Sequence, residues 1–276
     1  MSTENAAITS SAPPTAADRV RQVVVLLGSL LAIAAAAVGS GAAGGQPVSE
    51  AAGGALSAEA TVVAPGSPAF SIWSVIYAGL LLFAIVQLLP GRAADPRMRA
   101  LGWWVLGSML LNAVWIGVVQ AGWLWGSVLV IVALLAVLCV ILVRIVRIPA
   151  GRPLDTVATD VTIGLYLGWV SIATIADVAA TLAADEVGEL GLGESVWGAV
   201  LAVAGALVVV AISVFARSRP TVTIPVGLAA GWGLAWIAVA RTQGPLTDVV
   251  VAVAATITAV AAVAAPIVVT LARRPR

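Results

Sequence analysis

Six positions along one apolar stretch carry side chains with chemistry to offer. Thr159, Thr162, Tyr166, Trp169, Ala173 and Asp177 are spaced by three, four, three, four and four residues, which puts them on a single face of an α-helix. That face is polar and aromatic. Phe70, Trp73, Tyr77 and Leu81 form a comparable stripe, and Ser108, Asn112 and Trp115 form a third. Aromatic rings on such faces can stack on a flat apolar guest, with a few polar groups to orient it. They can equally be ordinary helix packing, and Asn112 taken alone is satisfied by an interhelical hydrogen bond of about 1 kcal/mol.

Only Asp160 and Asp177 place an ionisable group inside an apolar run, where a carboxylate at mid-membrane costs about 2.5–3.5 kcal/mol. Asp160 lies about one turn into its helix, where the helix dipole favours it. Arg152 is close enough in sequence to attract it, so Asp160 reads as structural. Asp177 sits towards the other end of the same helix, where the dipole opposes its charge. It either touches water at the interface or is buried in a proton-linked or cation-binding role. The chain has no His and one cysteine, Cys139. That excludes a catalytic zinc site and a His-ligated haem, leaving Met, Tyr or Cys139 as weak axial ligands. No nucleophile with a base, phosphate-cradling glycine loop or acidic dyad is present, so no catalytic residues, metal ligands or reaction can be named.

The elements that must position these stripes are transmembrane helices. With 61% apolar and 10% charged residues and a mean hydropathy of +1.10, the chain cannot hide its apolar surface in one water-soluble core, so lipid is its main solvent. Apolar runs fall at about 23–39, 69–89, 101–120, 124–143, 157–180, 196–215, 222–240 and 249–271, each close to the roughly 20 residues a bilayer requires. The expected fold is an all-α polytopic bundle of about eight helices. The seventh run is short and interrupted by Pro225, Gly227, Gly231 and Gly233. All fourteen cations are Arg, a usage that fits a GC-rich bacterial source. Under eight spans every Arg but Arg241 falls on one side, which predicts a cell-membrane protein with both termini in the cytoplasm. The opposite loops are acidic, with Glu50, Glu59, Asp185, Glu186, Glu189 and Glu194. Dispersed Arg residues argue against nucleic-acid binding. The first run, preceded by Arg19 and Arg21, also fits a cleaved signal peptide.

Three further features bear on organisation. Ten Trp exceed what anchoring needs, although Trp103, Trp123, Trp125 and Trp197 lie near span ends as interfacial belts. The connection 40–68 is long for a helical bundle and is either a disordered outside loop or a lid over an outward-facing cavity. Gly164, Gly168, Ser171 and Ile175 occupy the face of the fifth helix opposite its stripe, a small-residue pattern that lets another helix, or a second copy of the chain, approach closely.

These motifs resemble those of the tryptophan-rich sensory protein family (TspO, the bacterial relatives of translocator protein or peripheral benzodiazepine receptor). The run from Tyr166-Leu167-Gly168-Trp169-Val170 through Ala173 to Asp177 is similar to the family's fifth-helix Tyr-x-x-Trp-Val, small Ala, then Asn. Phe70, Trp73 and Tyr77 resemble its second-helix Phe-Gly-Pro-x-Trp-x-x-x-Tyr, and Leu111-Asn112-Ala113-Val114-Trp115 its third-helix Leu-Asn-x-x-Trp. The resemblance covers a five-helix unit, 23–184, after a tail at 1–22, and leaves 185–276 as a three-helix extension. The sequence departs from the pattern at Pro65-Gly66-Ser67-Pro68, where the family has Trp and Pro-Pro, at Gly117-Val118 for Phe-Phe, and at Asp177 for Asn.

What the resemblance implies is a pocket under the first outside loop, lined by Phe70, Trp73, Tyr77, Asn112, Trp115, Tyr166, Trp169, Ala173 and Asp177. It would bind porphyrin, haem or another hydrophobic small molecule in a sensory or translocator role, often in dimers. Absence of His favours a porphyrin held by stacking over haem held through iron. The alternatives are a proton- or cation-coupled transporter using Asp177 and an interrupted seventh helix, a ligand-free membrane scaffold and, more weakly, an enzyme of porphyrin breakdown.

Overall fold

The computed structural model describes residues 13–41, 44, 46–188, 191–243 and 245–272. Most of the tail at 1–22, Glu189, and Arg273, Arg274 and Arg276 lie outside the described residues. Among the described residues eight helices are long and apolar enough to cross a membrane: α1 (Ala16–Gly39), α2 (Ser67–Val86), α3 (Pro96–Gln120), α4 (Leu124–Arg147), α5 (Pro153–Ala184), α6 (Glu194–Phe215), α7 (Pro220–Gln243) and α8 (Val249–Leu271). Among the described residues there is no strand. Local chemistry sets several boundaries. Thr15 and Asp18 close a reciprocal capping box at the start of α1, well before the apolar run begins. Asp95 caps α3 from its side chain, with Pro96 following, the position where a missing N–H costs nothing.

Spatial order departs from chain order. α1 packs on α3, α3 on α4 and α4 on α5, with α2 against α1 and α5. The other face of α5 is covered by α7, α7 by α8, and α8 by α6, so α6 lies mainly on α8 instead of on α5, its neighbour in sequence. Of the last three helices, α7 is therefore the one packed along α5, with α8 behind it and α6 on α8. Apolar side chains also point outward, as lipid permits: Val196, Val200, Val203, Leu207, Val210 and Val214 form an exposed stripe along α6 at helical spacing.

One end of the bundle is laced by buried ion pairs. Asp18 pairs with Arg21 at 2.9 Å and with Arg99, and Asp155 with Arg92 at 2.8 Å. Asp160 pairs with Arg97 and accepts from Thr221 Oγ1 at 2.6 Å. The Arg152 partner expected for Asp160 is thus replaced by Arg97. Residues Thr156–Val161 form a π turn, whose wider winding brings Thr159 and Asp160 round to α3, while Arg152 stays exposed before the helix.

The seventh helix is also corrected. It is one continuous helix whose Pro225 lies near its start, and its glycines are contact points. A Cβ on Gly227 would lie 2.5 Å from the Ala262 carbonyl oxygen of α8, and one on Gly231 2.6 Å from Val263. On the α5 side the roles reverse. A Cβ on Gly164 would lie 2.5 Å from the Val222 carbonyl oxygen, and one on Gly168 2.3 Å from that of Val226. The small-residue face of α5 is therefore taken within the chain and is not open to a second copy. Gly168→Ala is expected to cost about 1–3 kcal/mol through overpacking, read as a lower Tm in detergent. Gly107→Ala, where an added Cβ meets nothing within 4 Å, should leave Tm unchanged or slightly raised.

Candidate functional site

The stripes on α2, α3 and α5 converge. They enclose, with α4, a cavity of about 50 Å³ lined by Phe70, Trp73, Asn112, Trp115, Trp169, Ala173 and Asp177, with Ile131 and Leu134 from α4 and Val48, Leu56, Ala64 and Pro65 as its roof. The rings brace one another. Trp73 stacks on Tyr77 at 5.2 Å between centroids and meets Tyr166 and Trp169 edge-on at 5.6 and 6.4 Å, while Phe70 meets Trp169 edge-on at 5.6 Å. Such pairs favour these geometries because ring edges are positive and faces negative. Two of the sequence candidates stand apart from this cavity. Tyr166 is fully buried beneath it and donates to the Ser108 carbonyl at 3.1 Å. Tyr77 lies on the far side of Trp73, in a neighbouring groove.

Two polar side chains reach the cavity from facing helices. Asn112 donates from Nδ2 to Tyr77 Oη at 2.7 Å, and in that orientation its Oδ1 accepts nothing. Asp177 is 2% exposed. It accepts from Trp115 Nε1 at 3.3 Å and lies 3.0 and 3.1 Å from Ser127 Oγ. Of the two settings expected for Asp177, the structure gives the buried one.

A family model described as TSPO-like protein matches residues 24–268. The chain belongs to the TSPO-like family. The match runs through α6 and α7 and into α8, and so extends well past the five helices that carry the motifs. Neither curated proteins nor solved structures give a match. Family and helices together make this a multi-pass membrane protein.

In this TSPO-like chain the roof is fastened on both sides. Its first part is held by α3, whose Gln120 Nε2 donates to the carbonyls of Gly39 and Gln46 at 2.6 and 2.9 Å. Its second part is held by α7. Arg241 donates to the carbonyls of Ala58 and Thr61, the Gly66 amide donates to the Trp236 carbonyl at 3.2 Å, and Trp232 Nε1 donates to the Ala69 carbonyl at 2.9 Å. A Cβ on Gly66 would come within 3.3 Å of the Trp236 ring, so this approach suits glycine. Val48, Ala51, Val62 and Val63 are buried, which supplies the roof's apolar underside.

Beside this cavity lies a groove of about 490 Å³ between α1, α2 and α3, and Val48, Phe70, Trp73 and Trp115 border both spaces. A second groove, of about 820 Å³, runs between the far ends of α5 and α6 past Thr174, Val178 and Trp197; no sequence motif pointed to it. Ser127 and the latch residues Trp232, Trp236 and Arg241 also escaped the sequence reading, though each left a trace. Ser127 is the sole hydroxyl on α4, and Arg241 the sole Arg on the acidic side. Arg241→Ala should free the roof from α7: amide hydrogen exchange across 51–66 is expected to rise about tenfold or more, in line with the loss of two charge-assisted hydrogen bonds, while α5 keeps its protection.

Proposed function

We propose that this TSPO-like protein is a membrane receptor that draws a hydrophobic ligand from the bilayer into the roofed aromatic cavity. The observation that carries the reading is the convergence of the three stripes beneath a roof with its own fastening. Helix packing alone would not need that roof. A space of about 50 Å³ holds no more than a water or two, so a ligand enters by displacing Trp73 or the roof and extending into the adjoining groove, whose volume lies in the usual range for ligand sites. A tetrapyrrole such as protoporphyrin, implied by the family motifs, would use both spaces and stack on Trp73 and Trp169.

Binding is favoured over passage across the membrane. Towards the Arg-rich end the stripe is buried at Thr159, Thr162 and Tyr166, and the continuous α7 removes the broken helix on which a transporter reading leaned. The charge asymmetry supports a reading with the Arg-rich end in the cytoplasm and the roof outside, and the all-Arg usage fits a bacterial cell membrane. Titrating the purified protein with protoporphyrin should quench Trp fluorescence saturably. Trp169→Ala should weaken binding about tenfold or more, the scale of a lost stacking contact, whereas Trp103→Ala, at an exposed position, should not. Linear, unsaturable quenching, or equal binding by Trp169→Ala, would remove the porphyrin.

A further inference from the structure

The buried carboxylates of this chain are not treated alike. Asp18, Asp155 and Asp160 each have an Arg as an ion-pair partner. Asp177, equally buried, makes no ion pair among the described residues. Its two partners are neutral, and one is shared. Ser127 has a single hydroxyl proton and lies 2.7 Å from the Leu124 carbonyl as well as 3.0 Å from Asp177, so it can serve only one of them at a time. The remaining donor, Trp115 Nε1, is long at 3.3 Å. A carboxylate left in this condition inside an apolar bundle lacks the compensation that buried charges otherwise find.

A buried carboxyl in this state is met either by a proton of its own or by the positive charge of a ligand. Among the described residues Asp177 is the only Asp, Glu or Arg that lines the cavity, and none lines the adjoining groove. Around it stand the rings of Trp73, Trp115 and Trp169 and the unpartnered Asn112 Oδ1. Aromatic faces attract ammonium groups, most strongly where water is excluded. We propose that the cavity recognises an organic cation: a hydrophobic amine whose ammonium head pairs with Asp177 while its apolar body lies past Trp73 in the groove. This rests on the reading of the cavity as a ligand site and names the class of ligand it prefers. Sizes agree, since about 50 Å³ suits a head group and about 490 Å³ the body. No Arg lines either space, so a porphyrin bound here would keep its carboxylates outside both.

Three probes of one shape separate the outcomes: pyrenemethylammonium, pyrenemethanol and pyrenecarboxylate, each titrated into the full chain in nanodiscs of zwitterionic lipid and read by energy transfer from Trp to pyrene. The ammonium should bind at least about tenfold more tightly than the alcohol, a difference of about 1.4 kcal/mol, and the carboxylate most weakly. Asp177→Asn should bring ammonium and alcohol within about twofold while alcohol binding stays as in the wild type, and Asp177→Glu should keep the preference, as expected if charge is what selects. Equal binding of ammonium and alcohol by the wild type, or a preference that survives in Asp177→Asn, overturns the cation proposal and leaves a neutral-ligand site standing. Saturable transfer from none of the three overturns that site as well. Should Asp177→Asn not fold, the wild-type comparison decides.

Discussion

The carbonyl oxygens of Val222 and Val226 lie where side chains on Gly164 and Gly168 would otherwise be. Lipid gives helices no hydrophobic reason to associate, so contact depends on close packing, and small residues are what permit it. This approach seats α7 against α5 along much of its length. Its consequence is felt at the far end, because a helix that lies this close to α5 also delivers Trp232, Trp236 and Arg241 to the roof of the cavity. The walls are built from α2, α3, α4 and α5, but the second half of the cover is held from α7.

The two ends of the bundle handle charge differently. At the Arg-rich end each buried carboxylate has a guanidinium beside it, and the π turn of α5 orients Asp160 for that purpose. At the roofed end Arg241 spends its donors on backbone carbonyls, and Asp177 keeps only neutral partners. With Arg241 turned to the backbone of the roof, Asp177 has no ion-pair partner among the described residues.

The parts legible in the sequence were those with a period or a hydropathy signal. Eight apolar runs became eight helices, because lipid demands about 20 apolar residues whatever the neighbours are, and the heptad-like spacing of Tyr166, Trp169, Ala173 and Asp177 placed them on one face. Which face meets which helix was harder to read. Gly164 and Gly168 signalled a close contact without saying that α7 would fill it, and the glycines of α7 looked like breaks because local propensity takes no account of a neighbour. Arg97 lies more than sixty residues from Asp160, so Arg152 was the nearer guess. A π turn leaves no mark in residue type that would have corrected it.

The roof also has a bearing on how the protein is made. Its first half is pinned to α3 and its second to α7, so a chain emerging from the ribosome completes the cavity walls with α5 but leaves the cover tied on one side only. In the order of synthesis the second fastening of the cover therefore comes last, with Arg241 near the end of α7.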